Sequence, residues 1–207
     1  MAPIDDQDRG TDDDPERLIA TYRWRFDPDT LREVLDEADT ALFHRIRAGL
    51  TARLATTPDD ALRARLFGYR AGIGRSLMLL DEALADGQRA LVHAEVAGNA
   101  RLIAGVQVGL AHVHQWRREF DAADRLFAAA LAAEVPDPVR SFYHQHAGKC
   151  AYDQGRYIEA REHFERAMEL RRDGDPELLA STELALDAVR RRIADSGGAR
   201  NGSAPVR

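Results

Sequence analysis

Few residues have both the type and the spacing for chemistry: four of the seven histidines, the one cysteine, two close glycines and a run of arginines. His112 and His114, and His144 and His146, form two His-x-His pairs. On a helix, residues two apart point about 200° from one another, so neither pair can close on one metal ion. A cross-helix site such as His112 with His146 has no carboxylate or cysteine set at a spacing that would complete it. Cys150 lies four residues after His146, on one helical face. That spacing would suit a thiolate pair, but a buried structural cysteine is the commoner meaning. Gly72-Ile73-Gly74-Arg75-Ser76 lacks the third glycine of a dinucleotide loop and the Gly-Lys-Ser/Thr ending of a phosphate loop, which leaves it as a helix end. Arg190-Arg191-Arg192 puts three cations where the helix dipole favours them, in the last turns of a helix. Trp116 reads equally well as a binding anchor or as the lid on a hairpin turn. No catalytic set is complete, and the expectation is a protein that is not an enzyme, with no catalytic residue, no metal and no cofactor.

Composition narrows the class. The chain has 207 residues, 44% hydrophobic and 31% charged, enough for one substantial core. No apolar run approaches the roughly 20 residues that span a bilayer, and the first residues are acidic where a secretory signal would be basic and then apolar. A soluble, cytoplasmic protein without membrane association is expected, and the single cysteine fits a reducing compartment. Within residues 1–16 seven carboxylates face one arginine, so the whole net charge of −6 sits there. The remainder is formally neutral and supplies no reason to expect nucleic-acid binding. Lys149 is the only lysine beside 28 arginines, a bias that reads as the composition of a high-GC bacterial genome rather than as a phosphate-binding signal.

The elements that would position these residues are helices. Residues 1–14 are too acidic and apolar-poor to fold alone and read as a disordered arm, a solubilising tail or else one that guards the groove or docks on a basic partner. Pro15 opens a short helix to about Arg25, after which Trp24 and Phe26 anchor this end on the body. From Leu31 to about Ala55, Leu31, Leu35, Ala38, Leu42, Ile46, Leu50 and Leu54 recur at steps of three and four, which predicts one long amphipathic helix capped by Asp29 or Thr30. Further helices follow over about 61–74, 77–97, 100–116, 120–133, 139–154, 157–171 and 177–194, with 196–207 as a flexible tail. No segment alternates with the period of a strand. The expected fold class is all-α.

Residues 99–171 contain two copies of one unit. Leu110-Ala111-His112-Val113-His114 with Phe120 through Phe127 overlays Ala147-Gly148-Lys149-Cys150-Ala151 with Tyr157 through Phe164. Ala123 to Ala160 is a step of 37, and a looser copy centred on Ala83 lies 40 residues earlier. Small residues at 111, 123, 130, 148, 160 and 167 stand where helix backbones must approach, while Leu110, Phe120, Phe127, Tyr157 and Phe164 fill the space between hairpins. These units resemble tetratricopeptide repeats, whose second half reads Ala-x3-Phe, as in Ala123-x3-Phe127 and Ala160-x3-Phe164. The family's tryptophan and tyrosine are missing, and the steps exceed the usual 34, as in the long-helix variants of kinesin light chains and many bacterial regulators.

The resemblance implies an alpha-alpha superhelix of TPR-like hairpins over residues 15–195, with units at about 61–98, 99–135 and 138–172, N-terminal flanking helices and a capping helix at 177–194. It also implies binding of a protein or peptide in the groove lined by the first helix of each pair. The groove-facing candidates are Arg65, Arg75, Val108, His112, Gln115, Trp116, Gln145, Lys149, Tyr152 and Asp153. One subclass of the family clamps a C-terminal carboxylate with lysines and asparagines; the corresponding places hold Gly68, Gly72, Val108, His112, Gln145 and Lys149, of which only Lys149 fits, so that specificity is not expected. Two alternatives stay open: a homo-oligomer or assembly subunit using the repeat surface for self-association, and a histidine-based metal protein.

Overall fold

The turns inside the helical hairpins recur at the spacing of the sequence repeat. In the computed structural model, which describes residues 14–172 and 174–201, the backbone adopts a left-handed conformation at Met78, Arg118 and Gly155, with φ of 61°, 62° and 73°. These positions are separated by steps of 40 and 37, and each follows the last helical residue of a first helix by two. Each such turn joins a pair: α3 (Asp60–Ser76) with α4 (Leu80–Ala97), α5 (Ala100–Trp116) with α6 (Phe120–Leu131), and α7 (Asp137–Asp153) with α8 (Tyr157–Leu170). Before them come α1 (Pro15–Thr21) and α2 (Glu37–Thr56), and after them α9 (Pro176–Asn201). The described residues are thus all-helical apart from loops and one isolated antiparallel bridge, Phe26 with Glu33.

Local signals set several helix ends. Asp14, Asp59 and Asn99 cap α1, α3 and α5 by accepting backbone N–H groups of Glu16, Leu62 and Leu102. Gly98 closes α4 in the left-handed conformation that a residue without Cβ adopts freely. Inside the stack the small residues have the use expected of them: Ala111, Ala123, Ala130, Ala160 and Ala167 are fully buried. A Cβ on Gly148 would stand 2.7 Å from the Phe164 ring, so only glycine admits that helix contact without a shift.

Several boundaries differ from the sequence reading: α1 ends at Thr21 rather than about Arg25 and α4 begins at Leu80 rather than about 77, and two differences are larger. The long helix does not begin at Leu31 with Asp29 or Thr30 as its cap; α2 starts at Glu37, where Asp36 and Asp39 form a reciprocal capping box. The C-terminal helix continues beyond 194 to Asn201, through part of the segment expected to be a flexible tail. Residues 1–13, the bulk of the expected disordered arm, lie outside the described residues.

Residues 22–36 form a strap instead. Asp27 folds it back: its Oδ1 accepts from the backbone N–H groups of Asp29 (3.0 Å) and Thr30 (2.7 Å) and from the Thr30 hydroxyl (2.9 Å). Leu31 then takes φ 58° and donates its N–H to the Asp27 carbonyl (2.8 Å). A leucine there costs roughly 1–2 kcal/mol of backbone strain. Burial offsets it, because the side chain is 2% exposed and joins the core formed by Ala151, Tyr152, Ala160, Phe164, Leu186 and Val189. At the other end, Tyr22 and Trp24 pack edge-to-face with Phe43 of α2. The strap therefore ties the first helices to the last across the concave face of α3, α5 and α7.

Candidate functional site: the concave groove

The ten groove candidates divide into two sets. Gln115, Trp116, Tyr152 and Asp153, at the C-terminal ends of α5 and α7, lie under the strap. Trp116 is 8% exposed and sandwiched by cations, with the Arg75 guanidinium 4.6 Å and that of Arg32 5.1 Å from its ring centroid. Asp153 accepts from Arg32 (3.1 Å) and from Gln115 Nε2 (2.9 Å). The Tyr152 hydroxyl donates to the Asp29 carbonyl (2.8 Å), and Arg191 and Arg192 of α9 donate to the Pro28 and Asp29 carbonyls. Trp116 is thus a lid inside the fold; Trp116, Tyr152 and Asp153 are already engaged by Asp29 and Arg32 of the same chain, and Gln115 is held by Asp153.

The other six, Arg65, Arg75, Val108, His112, Gln145 and Lys149, line a half-enclosed cavity of about 1200 Å³. Its floor is α3, α5 and α7; Tyr22, Trp24 and Phe26 of the strap form one wall and Leu178, Ser181 and Leu184 of α9 another. Sequence reasoning missed the contributions of Glu33, Arg171 and His146. Only Glu33 had a local signal, the capping box at Asp36 that takes residues 31–35 out of the helix.

Several charged groups lie in the cavity wall. Glu33 receives a two-point ion pair from Arg75 (2.7 and 3.2 Å), and both side chains are less than 10% exposed. Burial pushes the Glu33 carboxyl up, but Arg75, with His112 and Lys149 beyond it, holds it well below the usual carboxylate range. Burial drives His112 and His146 well below the usual imidazole value, with neighbouring cations adding to the effect, so both rings are neutral. The two rings meet edge-to-face at 4.6 Å. Lys149 is 5% exposed, with its ammonium 3.8 Å from the centroid of the Phe26 ring. Burial, opposed by Glu33, lowers its pKa to about 8. Among the described residues no group of three histidine, cysteine or carboxylate side chains is placed to hold a metal ion. Cys150 is buried, and burial pushes its thiol up to about 12, the reverse of what a nucleophile needs.

Comparison with known proteins fits this architecture. Residues 141–173, covering most of α7 and all of α8, match the tetratricopeptide repeat family. Among solved structures, the crystal structure of BtubC (BKLC) from P. vanneervenii is similar with a TM-score of 0.62 and 19% identity, over 81% of this chain and 80% of that one. A kinesin light chain from Podosopora anserina with nearly identical TPR-like repeats is similar with a TM-score of 0.50 and 15% identity, over 77% and 88%. No curated protein matches the sequence. The chain has the fold of the TPR-like repeat proteins, with one repeat recognisable from sequence. Repeats of this kind generally serve as non-catalytic interaction or scaffold modules. No helix among the described residues is long and apolar enough to cross a membrane.

Proposed function

We propose that residues 15–195 are a non-enzymatic interaction module that binds a segment of another protein along its concave face. The observation that carries this reading is the strap. The groove holds a hairpin turn of its own chain by gripping backbone carbonyls (Pro28, Asp29) and flanking side chains (Arg32, Glu33), and leaves the adjoining cavity uncovered. Peptide-binding grooves combine apolar anchoring with convergent polar groups in this way. Exposed Arg65, Tyr69, Arg101 and Phe142 rim that cavity and would be crossed by an incoming segment.

A photo-crosslinking amino acid at Tyr69 or Phe142 tests it directly. Crosslinks to one protein segment, with saturable binding of that segment as a synthetic peptide and loss of binding on Arg65→Glu, are the expected result. Crosslinks only to a second copy of this chain would replace the reading with self-association. An intact fold with no saturable crosslink would refute both.

A further inference from the structure

The cavity is more cationic than the protein that contains it. Outside residues 1–16 the chain carries equal numbers of acidic and basic side chains, yet the lining includes Arg23, Arg65, Arg75, Arg101, Lys149 and Arg171 against Glu33 and Glu177 alone. Glu33 is taken up by Arg75. Two buried cations therefore have no carboxylate within ion-pairing distance among the described residues. Arg171, 5% exposed, donates only to neutral acceptors: Ser141, Gln145, Thr182 and the Leu178 carbonyl. Lys149 meets the face of Phe26 and feels Glu33 only at longer range. Unpaired buried charge is costly, and an anion supplied from outside would remove that cost.

A donor stands beside Lys149. Gln145 lies one helical turn earlier on the same face, is 4% exposed and lines the cavity. Arg171 and Thr182 both donate to its Oε1 (3.4 and 3.0 Å), which fixes the amide orientation, and its Nε2 is buried without an acceptor. The floor has also been kept empty. Gly68 and Gly109 face the cavity from the interiors of α3 and α5, and a Cβ added to either meets nothing within 4 Å. Packing does not require these glycines, and each costs a helix roughly 1 kcal/mol relative to alanine.

We propose that this cavity binds a small organic anion, an apolar or aromatic body bearing one carboxylate or sulfonate, with the charged group at Lys149 and Gln145 and the body lying over Gly68 and Gly109 between the strap and α9. The volume exceeds the roughly 300–1,000 Å³ of common small-molecule sites. The exposed arginines at the mouth favour entry of an anion. The anion occupies the floor of the groove whose rim the partner segment is proposed to cross, but the inference does not depend on that partner.

The test uses the full chain and two probes with the same ring system, 1-anilinonaphthalene-8-sulfonate and the uncharged N-phenyl-1-naphthylamine, followed by fluorescence. Wild type should bind one equivalent of the sulfonate about tenfold or more tighter than the neutral probe, and decanoate should displace it. Lys149→Met should weaken the sulfonate by roughly tenfold and leave the neutral probe unchanged. Gly109→Leu, which improves helix propensity while filling the floor, should abolish both with cooperative unfolding retained. Equal affinity for the two probes, an unchanged ratio in Lys149→Met, or binding that appears only after deletion of residues 1–13 would overturn the proposal, the last by making the acidic N-terminal segment the occupant. The crosslinking experiment on the rim can fail without altering any of these outcomes.

Discussion

The covered and uncovered halves of the concave face are built from equivalent helices and differ in electrostatic completion. Where the strap lies on the face, charges have partners: Asp153 has Arg32 beneath it, and at its border with the cavity Arg75 has Glu33. Beside it, Lys149 and Arg171 are equally buried, yet no carboxylate among the described residues lies within ion-pairing distance. The first arrangement belongs to a finished core, where removing one partner strands the other. The second belongs to a surface awaiting a ligand, where removing the cation relieves a cost. Burial alone does not distinguish them; the presence of a counter-charge does.

Mutation should expose that difference most strongly at Arg75. Arg75→Met leaves Glu33 as an uncompensated buried carboxylate and should lower stability by about 3–5 kcal/mol in urea unfolding, together with release of the strap, read as exposure of Trp116 in fluorescence quenching. A loss under 1 kcal/mol would show that the strap is not held by this pair. At Lys149 the sign should reverse. Lys149→Met removes a buried, unpaired ammonium and should stabilise the protein by about 1–3 kcal/mol at pH 7, less what the contact with Phe26 contributes. Because the folded pKa of about 8 lies below the unfolded value of 10.5, the unfolded chain binds the extra proton between them, and wild-type stability should rise relative to the variant from pH 8 to 10.5. A gap between wild type and variant that stays constant with pH would break the assignment.

On the acid side the two halves should respond together. His112 and His146 stay neutral in the fold but protonate near 6.5 when unfolded, so stability should fall as pH drops below 6.5, by about 1.4 kcal/mol per pH unit for each ring until its folded pKa is reached. The depressed Glu33 carboxyl adds a loss at lower pH, since its contribution is present above the unfolded pKa and disappears as pH falls through the folded one. His112→Asn should remove about one proton from the slope just below pH 6.5, measured by chemical unfolding at a series of pH values. The smallest effect is expected at the cavity floor. Gly68→Ala and Gly109→Ala should each stabilise by about 0.5–1 kcal/mol in thermal unfolding, since the added methyl meets open space. Destabilisation would mean that the floor is packed after all.

Much of the helical framework was legible because its determinants are local. Asp59 and Asn99 cap where a cap residue precedes an apolar run, and the Ala-x3-Phe pairs bury alanine and phenylalanine as the hairpin packing requires. The error at the N-terminus has an equally physical origin. Leu31 and Leu35 continue the three-and-four spacing of Leu42, Ile46 and Leu50, so periodicity extends the helix backward through a segment that is folded as a strap. The competing signals, Asp27-Pro28-Asp29-Thr30 as a turn and Asp36 to Asp39 as a capping box, were present but weaker than the stripe. For the groove, helix position was enough to point to Arg65, His112, Gln145 and Lys149. It could not indicate that Gln115, Trp116, Tyr152 and Asp153 would be covered.

The sequence by itself determined an all-helical chain, repeated hairpins with their small and aromatic packing positions, and which helix faces look inward, because each depends on residues within one or two turns of one another. Only the tertiary structure decided what lies on that inward face. The contacts that close half the groove join residues far apart in the chain, such as Arg32 with Asp153 and Tyr152 with Asp29, separated by 121 and 123 positions. No periodicity encodes such pairs. They form because a strained leucine at position 31 finds an apolar site among α7, α8 and α9, and the strap's charges then fall opposite partners while Lys149 and Arg171 have no carboxylate within ion-pairing distance among the described residues.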